Sequence, residues 1–318
     1  MKVLVASALA PETLASLSER YDVATAIGAG EDELVEAIRG REVLIFRSGV
    51  QISAEVMDAS AELKLLVRAG SGLDNIDLEH VRTSDLKLVR VAGMSAEPVA
   101  EMTFALLLGV ARKVALADRL LRAGHWPKPE LSGPLLRGKT LGVVGAGNIG
   151  GLVGEMGVAW GMRVLGCVAD HTPVQPLLDR GIEITDFQTV LTQADFLCLH
   201  VPLLPSTRHM IGAAELARMK PGSYVVNMAR GGVLDEQALA RQLRAGTTVA
   251  GAALDVHEAE GEGTISPFAD VPNVVLTPHI GAMASDAQSR IGARVDELVT
   301  AFAEGRLDQV LRDTEIVA

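Results

Sequence analysis

Cysteine is scarce: only Cys167 and Cys198 occur in 318 residues. Both lie in apolar, strand-like runs and read as packed thiols. That excludes a disulfide framework and a cysteine metal site, and a reducing compartment, the cytoplasm, is expected. Long hydrophobic runs are missing as well. No apolar stretch reaches the ~18 residues of a membrane span. The opening MKVLVASALA is too short for a signal peptide and leads straight into Pro11 and Glu12, so it reads as a first strand. Positive charge is also short. The net charge is −11, with no dense basic patch, so no nucleic-acid partner is expected. No short-period repeat is visible, and no metal is expected.

What the chain does have is TLGVVGAGNIG at residues 140–150. An apolar run leads into Gly145, Gly147 and Gly150 at G-x-G-x-x-G spacing, with Asn148 and Ile149 inside the turn. Apolar residues at helical intervals follow (Val153, Met156, Val158), then a second apolar run at 163–168. Strand, glycine turn, helix and strand form the context in which this spacing binds a dinucleotide. Gly145 allows the tight turn, Gly147 lets backbone approach a pyrophosphate, and Gly150 lets the helix pack closely. The helix start offers unpaired N–H groups to the phosphates. Glycine is common, at 32 of 318 residues, so chance matches arise. Gly28-Ala29-Gly30 also follows a strand-like run, but Glu33 replaces the third glycine.

Residues 1–98 alternate strand-like and helical runs, as expected of a parallel sheet covered by helices. Two loops end strands there. Arg47-Ser48-Gly49 follows the third, and the 68–75 loop, with Gly70-Ser71-Gly72, follows the fourth. Gly-Ser-Gly can expose consecutive N–H groups to a carboxylate; without further context an ordinary glycine turn is the favoured reading. Residues 99–122 form a long apolar stretch expected to be one helix, buried between domains or against a second subunit. Residues 124–138 read as a linker. The alternation then restarts as a second doubly wound domain, and residues 285–304 read as one helix returning to the first domain.

A bound dinucleotide needs an acidic group for its ribose near the end of the next strand. Asp170 is the candidate, and no Arg or Lys lies between Val164 and Gln175, which favours NAD over NADP. Three later turns end strands and carry Arg230, Glu260 and His279. Strand ends of one parallel sheet converge, so these side chains could meet. An arginine grips a carboxylate, a histidine exchanges a proton, and an acid orients the histidine: together they suit hydride chemistry on a 2-keto acid. Taken singly, Arg230 could be a surface ion pair, Glu260 a solvated acid and His279 a turn residue. His200 precedes Pro202 and could border the cofactor.

At these residues the chain resembles the D-isomer-specific 2-hydroxyacid dehydrogenase family, of phosphoglycerate and glyoxylate/hydroxypyruvate dehydrogenase type. The 68–75 loop, Val99-Ala100-Glu101, the glycine turn, His200-Val201-Pro202, Met219-Lys220-Pro221-Gly222, the 227–232 turn, Leu254-Asp255-Val256 and Pro278-His279 match in order. The resemblance implies Arg230 on the substrate carboxylate, His279 as acid/base and Glu260 as its partner. It implies Asp255 at the nicotinamide amide, Thr207 on the pyrophosphate side, and Ala229 and Gly281 beside the cofactor. Arg47, Ser48, Gly70, Ser71 and Gly72 would then face the substrate. Three positions depart from the pattern. Val168 stands where the acid usually does, so Asp170 must reach back; Gly261 replaces a proline after Glu260; Ser95 stands where relatives carry Asn. No regulatory domain of the longer phosphoglycerate enzymes is expected before Ala318.

The expectation is therefore an α/β protein of two doubly wound parallel-sheet domains. A flavodoxin-like substrate domain spans 1–98 plus 284–318, and a Rossmann dinucleotide-binding domain spans 99–283. It would be a cytoplasmic, NAD-dependent homodimer acting on a small 2-hydroxy/2-keto acid, without membrane contact. A dinucleotide-sensing binding protein of corepressor type is the alternative.

Overall fold

In the first 95 residues, short apolar runs alternate with amphipathic segments. They become β1 (Lys2–Val5), α1 (Pro11–Arg20), β2 (Asp22–Thr25), α2 (Glu31–Ile38), β3 (Val43–Phe46), α3 (Ala54–Asp58), β4 (Leu65–Arg68), α4 (Leu78–Thr83) and β5 (Lys87–Arg90). Local chemistry sets the boundaries. Pro11 opens α1 with its preset φ, and the Ser53 and Asp77 side chains accept the backbone N–H of Val56 and His80 at the starts of α3 and α4.

The computed structural model describes residues 1–169, 172–312 and 315–317. The chain divides into two units, Met1–Ser95 with Met283–Ala318 and Ala96–Ala282. The expected boundaries at 98/99 and 283/284 thus fall at 95/96 and 282/283.

The second unit holds α5 (Ala96–Ala111), α6 (Val114–Arg122), β6 (Thr140–Val144), α7 (Asn148–Ala159), β7 (Arg163–Cys167), α8 (Gln175–Asp179), β8 (Glu183–Ile184), α9 (Phe187–Gln193), β9 (Phe196–Leu199), α10 (Ala213–Arg218), β10 (Ser223–Asn227), α11 (Glu236–Ala245), β11 (Val249–Leu254) and β12 (Val274–Leu276). The chain then returns to the first unit as α12 (Ser285–Ala303) and α13 (Leu307–Val310).

Both sheets are wholly parallel, apart from an isolated antiparallel bridge at one edge of the first. The first runs β2-β1-β3-β4-β5, the flavodoxin-like order. The second runs β12-β11-β10-β9-β6-β7-β8, the Rossmann order with one strand added. Helices cover both faces, so the strands are continuous apolar runs whose alternate residues enter opposite cores. In the first unit Val3, Val5, Ile45 and Val67 pack with Ile291, Val295 and Leu298 of α12, while Leu4, Leu44, Phe46 and Leu66 pack with Leu34, Ile38 and Val56. In the second, Val143, Phe196 and Val226 join Phe104 and Leu107 of α5 on one face. Val144, Leu197 and Val225 join Val190, Leu216 and Leu239 on the other.

One expected helix is two. The 99–122 stretch breaks at Lys113, which takes the left-handed conformation with φ +53°. α5 is buried inside its own unit, packed on α7, β10, β11 and β12, because its apolar residues surround it. α6 has no buried residue. The first sheet is finished by the chain's last segment: Ile316 bridges Val89, the Arg90 N–H donates to Glu315 O (3.0 Å), and the Val317 N–H donates to Leu88 O (3.2 Å). Glu315 and Arg294 of α12 form a buried ion pair at 2.5 Å. Among the described residues, no helix is long and apolar enough to cross a membrane, and no cluster of His, Cys, Asp or Glu could hold a metal. Both cysteines are free, and burial pushes the Cys198 thiol up to about 12.

Candidate active site

Parallel strands deliver their following loops to one edge, so the second sheet's order sets the order of the chemistry along that edge. From β12 inward come His279, then Asp255 and Glu260 after β11, Arg230 after β10, His200 after β9, and the glycine turn after β6. The chain leaves β6 in opposite directions for β7 and β9. That reversal opens a crevice at the turn, the usual dinucleotide position in such sheets.

The turn is built by close contact. Gly145 sits at φ +90°, and a Cβ there would lie 2.8 Å from the His200 carbonyl. A Cβ on Gly150 would overlap the Gly145 carbonyl oxygen, so only glycine lets α7 start this close to β6. Gly147 is different: a Cβ there would meet nothing within 4 Å. The space above it is open where Asn148, Ile149 and Gly150 begin α7 and lack the intrahelical acceptors of later amides. An anionic pyrophosphate fits such a cradle. His200 points the same way. Its N–H donates to Val144 O (2.8 Å), but neither ring nitrogen has a partner among the described residues, and burial pushes its pKa down to about 4. A neutral, buried imidazole lacking a partner suits a polar group of a bound dinucleotide. Val201 and Pro202 continue the loop, and the Thr207 hydroxyl closes it, donating to Pro202 O (2.6 Å) and accepting the Leu204 N–H (2.8 Å). Asp170, the expected ribose partner, lies outside the described residues; Val168, two positions earlier, packs against the apolar core.

At the far side, His279 Nδ1 faces both Glu260 oxygens, at 3.0 and 3.2 Å. Burial would raise the Glu260 carboxyl, but the hydrogen bond and charge of His279, with the N–H and charge of His257, hold it below the ordinary carboxylate range. His279 adopts φ +53°, and its N–H donates to Asp255 O (2.7 Å). The buried Asp255 carboxylate accepts from Thr277 Oγ1 (2.6 Å), Ile280 N (2.9 Å) and Gly281 N (2.8 Å). In this structure Asp255 therefore knots the His279 loop onto β11. Gly281 fits under it: a Cβ would lie 2.9 Å from Asp255 Oδ2 and 2.8 Å from Met228 Cε.

Arg230 leaves a turn that Asn227 folds. Asn227 Oδ1 accepts the Ala229 N–H (3.1 Å), and its Nδ2 donates to Arg230 O (3.1 Å). The Arg230 guanidinium donates to Ala229 O at 2.7 Å. The next residue draws this turn to the Glu260 loop, since a Cβ on Gly231 would overlap His257 O. Asn227, Gly231 and His257 were not singled out from the sequence. The signal was available in the glycine pair after Arg230, which marks close backbone approach.

In the first unit, Arg47 and Ser48 follow β3, and Gly70, Ser71 and Gly72 follow β4. Asn75 ties these loops, its Nδ2 donating to Arg47 O (3.0 Å) and Val50 O (2.5 Å). Arg47 Nη1 donates to Gln288 Oε1 (2.6 Å), and burial pulls its guanidinium below its ordinary value. Arg68 Nε donates to Gly72 O (2.9 Å), and Ser71 Oγ lies 3.3 Å from Ser95 Oγ. The Gly70 N–H is engaged by Arg68 O (2.8 Å).

Comparison with known proteins agrees with this arrangement. Residues 104–281 match the family model for the D-isomer specific 2-hydroxyacid dehydrogenase NAD binding domain. The chain is 40% identical to a hydroxypyruvate reductase of Thermotoga maritima, over 85% of this chain and 87% of that one. It is 38% identical to a D-3-phosphoglycerate dehydrogenase of Methanocaldococcus jannaschii, over 96% of this chain but only 58% of that longer protein. The crystal structure of D-lactate dehydrogenase from Aquifex aeolicus complexed with NAD and lactic acid superposes with a TM-score of 0.86, at 29% identity and 97% coverage of both chains. The chain belongs to the D-isomer-specific 2-hydroxyacid dehydrogenase family, as an oxidoreductase that passes hydride between NAD(H) and a 2-hydroxy acid/2-keto acid pair.

Proposed function

We propose that Arg230, Glu260 and His279 carry this reaction on a short 2-keto acid, with hydroxypyruvate and glyoxylate the first candidates. The observation that carries the reading is the His279–Glu260 pair. With Nδ1 facing a carboxylate, the imidazole keeps a proton on that nitrogen and presents Nε2 to the substrate. NAD(H), when bound, supplies or accepts the hydride. In reduction, the His279 imidazolium, stabilised by the Glu260 carboxylate at Nδ1, gives its Nε2 proton to the carbonyl oxygen and is left neutral with its Nδ1 proton still facing Glu260. Arg230 pairs with the substrate carboxylate and polarises the neighbouring carbonyl. The second unit is the dinucleotide-binding domain, with Gly145, Gly147, Asn148, Ile149, Gly150, His200, Val201, Pro202, Thr207, Ala229, Asp255 and Gly281 around the cofactor. The first unit is the substrate domain, offering Arg47, Ser48 and the amides of Ser71 and Gly72.

The test is His279→Ala. Turnover of hydroxypyruvate or glyoxylate with NADH should fall roughly 10²–10⁴-fold, the usual range for a general acid. NADH affinity, read by fluorescence, should not change. Normal turnover by that variant would remove His279 from the chemistry. The protein is also proposed to work in the cytoplasm as a homodimer. An unburied α6, with Val114 and Leu121 each 56% exposed, and Trp126, Leu135 and Trp160 also exposed, supports that assembly.

A further inference from the structure

The loop that carries Glu260 is held from behind by two carboxylates that the proposed chemistry does not use. The Glu258 N–H donates to Glu236 Oε1 at 2.7 Å, and the Glu236 N–H donates back to Glu258 Oε1 at 3.2 Å. Each side chain thus accepts the other's amide, and a closed ring joins the start of α11 to the loop after β11. Glu236 is 4% exposed. Its N–H lies in the first turn of α11, where no intrahelical acceptor exists, so Glu258 satisfies a donor that would otherwise be orphaned. His209 Nε2 meets the same Glu258 oxygen at 3.1 Å, and the His209 N–H donates to Gly232 O at 2.7 Å. Three successive loops of the catalytic edge are laced at this point.

We propose that Glu236 is a positioning residue for the acid/base pair, acting through the Glu258 amide and so through the loop that carries Glu260. The inference rests on the reading that Glu260 orients His279. The geometry is consecutive. The His257 N–H is held by Glu260 Oε1 at 3.2 Å, the Glu258 N–H by Glu236, and Glu260 stands two residues on. Beyond it the loop turns on glycines, with Gly261 and Gly263 at φ +129° and +80°. The clamp before Glu260 therefore sets where its carboxylate stands. Burial also raises the Glu236 carboxyl, against the pull of the Glu258 N–H. That suits an acceptor held for its geometry better than one held for its charge.

The experiment compares Glu236→Ala with Glu236→Gln, which keeps an acceptor oxygen at the same reach. Steady-state kinetics with NADH and a keto acid are read alongside NADH affinity and thermal unfolding. Misplacement by about 1 Å lowers turnover by up to ~10²-fold. Glu236→Ala should therefore lower kcat by about tenfold or more, with KM within about threefold of the parent, because the groups that bind the substrate carboxylate are untouched. Glu236→Gln should return kcat to within about twofold of the parent. Parent-like kcat in Glu236→Ala, or Glu236→Gln as slow as Glu236→Ala, overturns the proposal. If Glu236→Ala does not fold, Glu258→Ala removes the other arm of the ring and carries the same expectation. Glu260→Gln is the control: if it leaves kcat unchanged, the underlying reading fails, whereas a slow Glu260→Gln beside a parent-like Glu236→Ala fails this inference alone.

Discussion

His279 holds a left-handed backbone, φ +53°, a conformation uncommon outside glycine. Such a conformation costs a non-glycine residue about 1–2 kcal/mol. Asp255 offsets that cost, receiving the His279 N–H on its carbonyl and three further donors on its carboxylate. The strain therefore sits on the proposed acid/base residue and is held by the neighbouring strand. Gly231 shows the same closeness from the other loop. Gly231→Ala would drive a methyl into His257 O, which forces the Arg230 turn away from the Glu260 loop. Overpacking of this kind typically costs 1–3 kcal/mol, so calorimetry should show a lower Tm, and kcat/KM should fall at least tenfold. At this scale the sequence was legible in one respect: residues carried at neighbouring strand ends meet, as Glu260 and His279 do. It was silent on Glu236 and Glu258, which lie 22 positions apart and meet through backbone amides that no residue pattern encodes.

Helices were legible where apolar spacing or a cap announces them, and less so where one conformation at one residue decides. α11 was readable in full, with Asp235 as its cap and Gly246 in the left-handed conformation at its end. The break at Lys113 was not, because apolar residues continue on both sides and neither proline nor glycine marks it. α9 is announced only by its cap, Asp186, which accepts the Thr189 N–H at 2.9 Å. The break matters to assembly: it separates a buried α5 from an α6 that leaves Val114 and Leu121 uncovered. Replacing both by Asp leaves the core untouched and charges the face proposed to pair. Light scattering after size-exclusion chromatography should then report a monomer where the parent runs as a dimer. Two equal masses would discard that face as the interface.

At the scale of the molecule, strand alternation made two parallel sheets legible, and the long last helix pointed to a discontinuous first unit. The ion pair that secures its return was not foreseen, because Arg294 and Glu315 meet only once α12 and the tail are in place. Burial would raise the Glu315 carboxyl, but Arg294 and the Arg312 N–H hold it below the ordinary range. A depressed folded pKa contributes stability above the unfolded value of about 4.3, and this is lost as pH falls through the folded value. Without Glu315 the buried Arg294 keeps only the half-exposed Glu297 carboxylate at 2.6 Å and the Val310 carbonyl, so the cost is a share of the about 3–5 kcal/mol of a fully unpaired buried ion. Glu315→Gln should therefore unfold well below the parent at pH 7 in calorimetric scans. The gap should narrow on acidification below about pH 4.3 and close once the folded parent's Glu315, with its lower pKa, takes up a proton. A gap that stays constant with pH would mean that the pair adds nothing.

The first unit's core is shared between Val3, Val5, Ile45 and Val67 near the start of the chain and Ile291, Val295 and Leu298 near its finish. During synthesis the ribosome completes Ala96–Ala282 while the earlier segment still waits for its covering helix. A nascent chain would therefore own a finished nucleotide cradle before its amino-terminal sheet is sealed, and holding cofactor could stabilise the half-made protein while the remainder emerges.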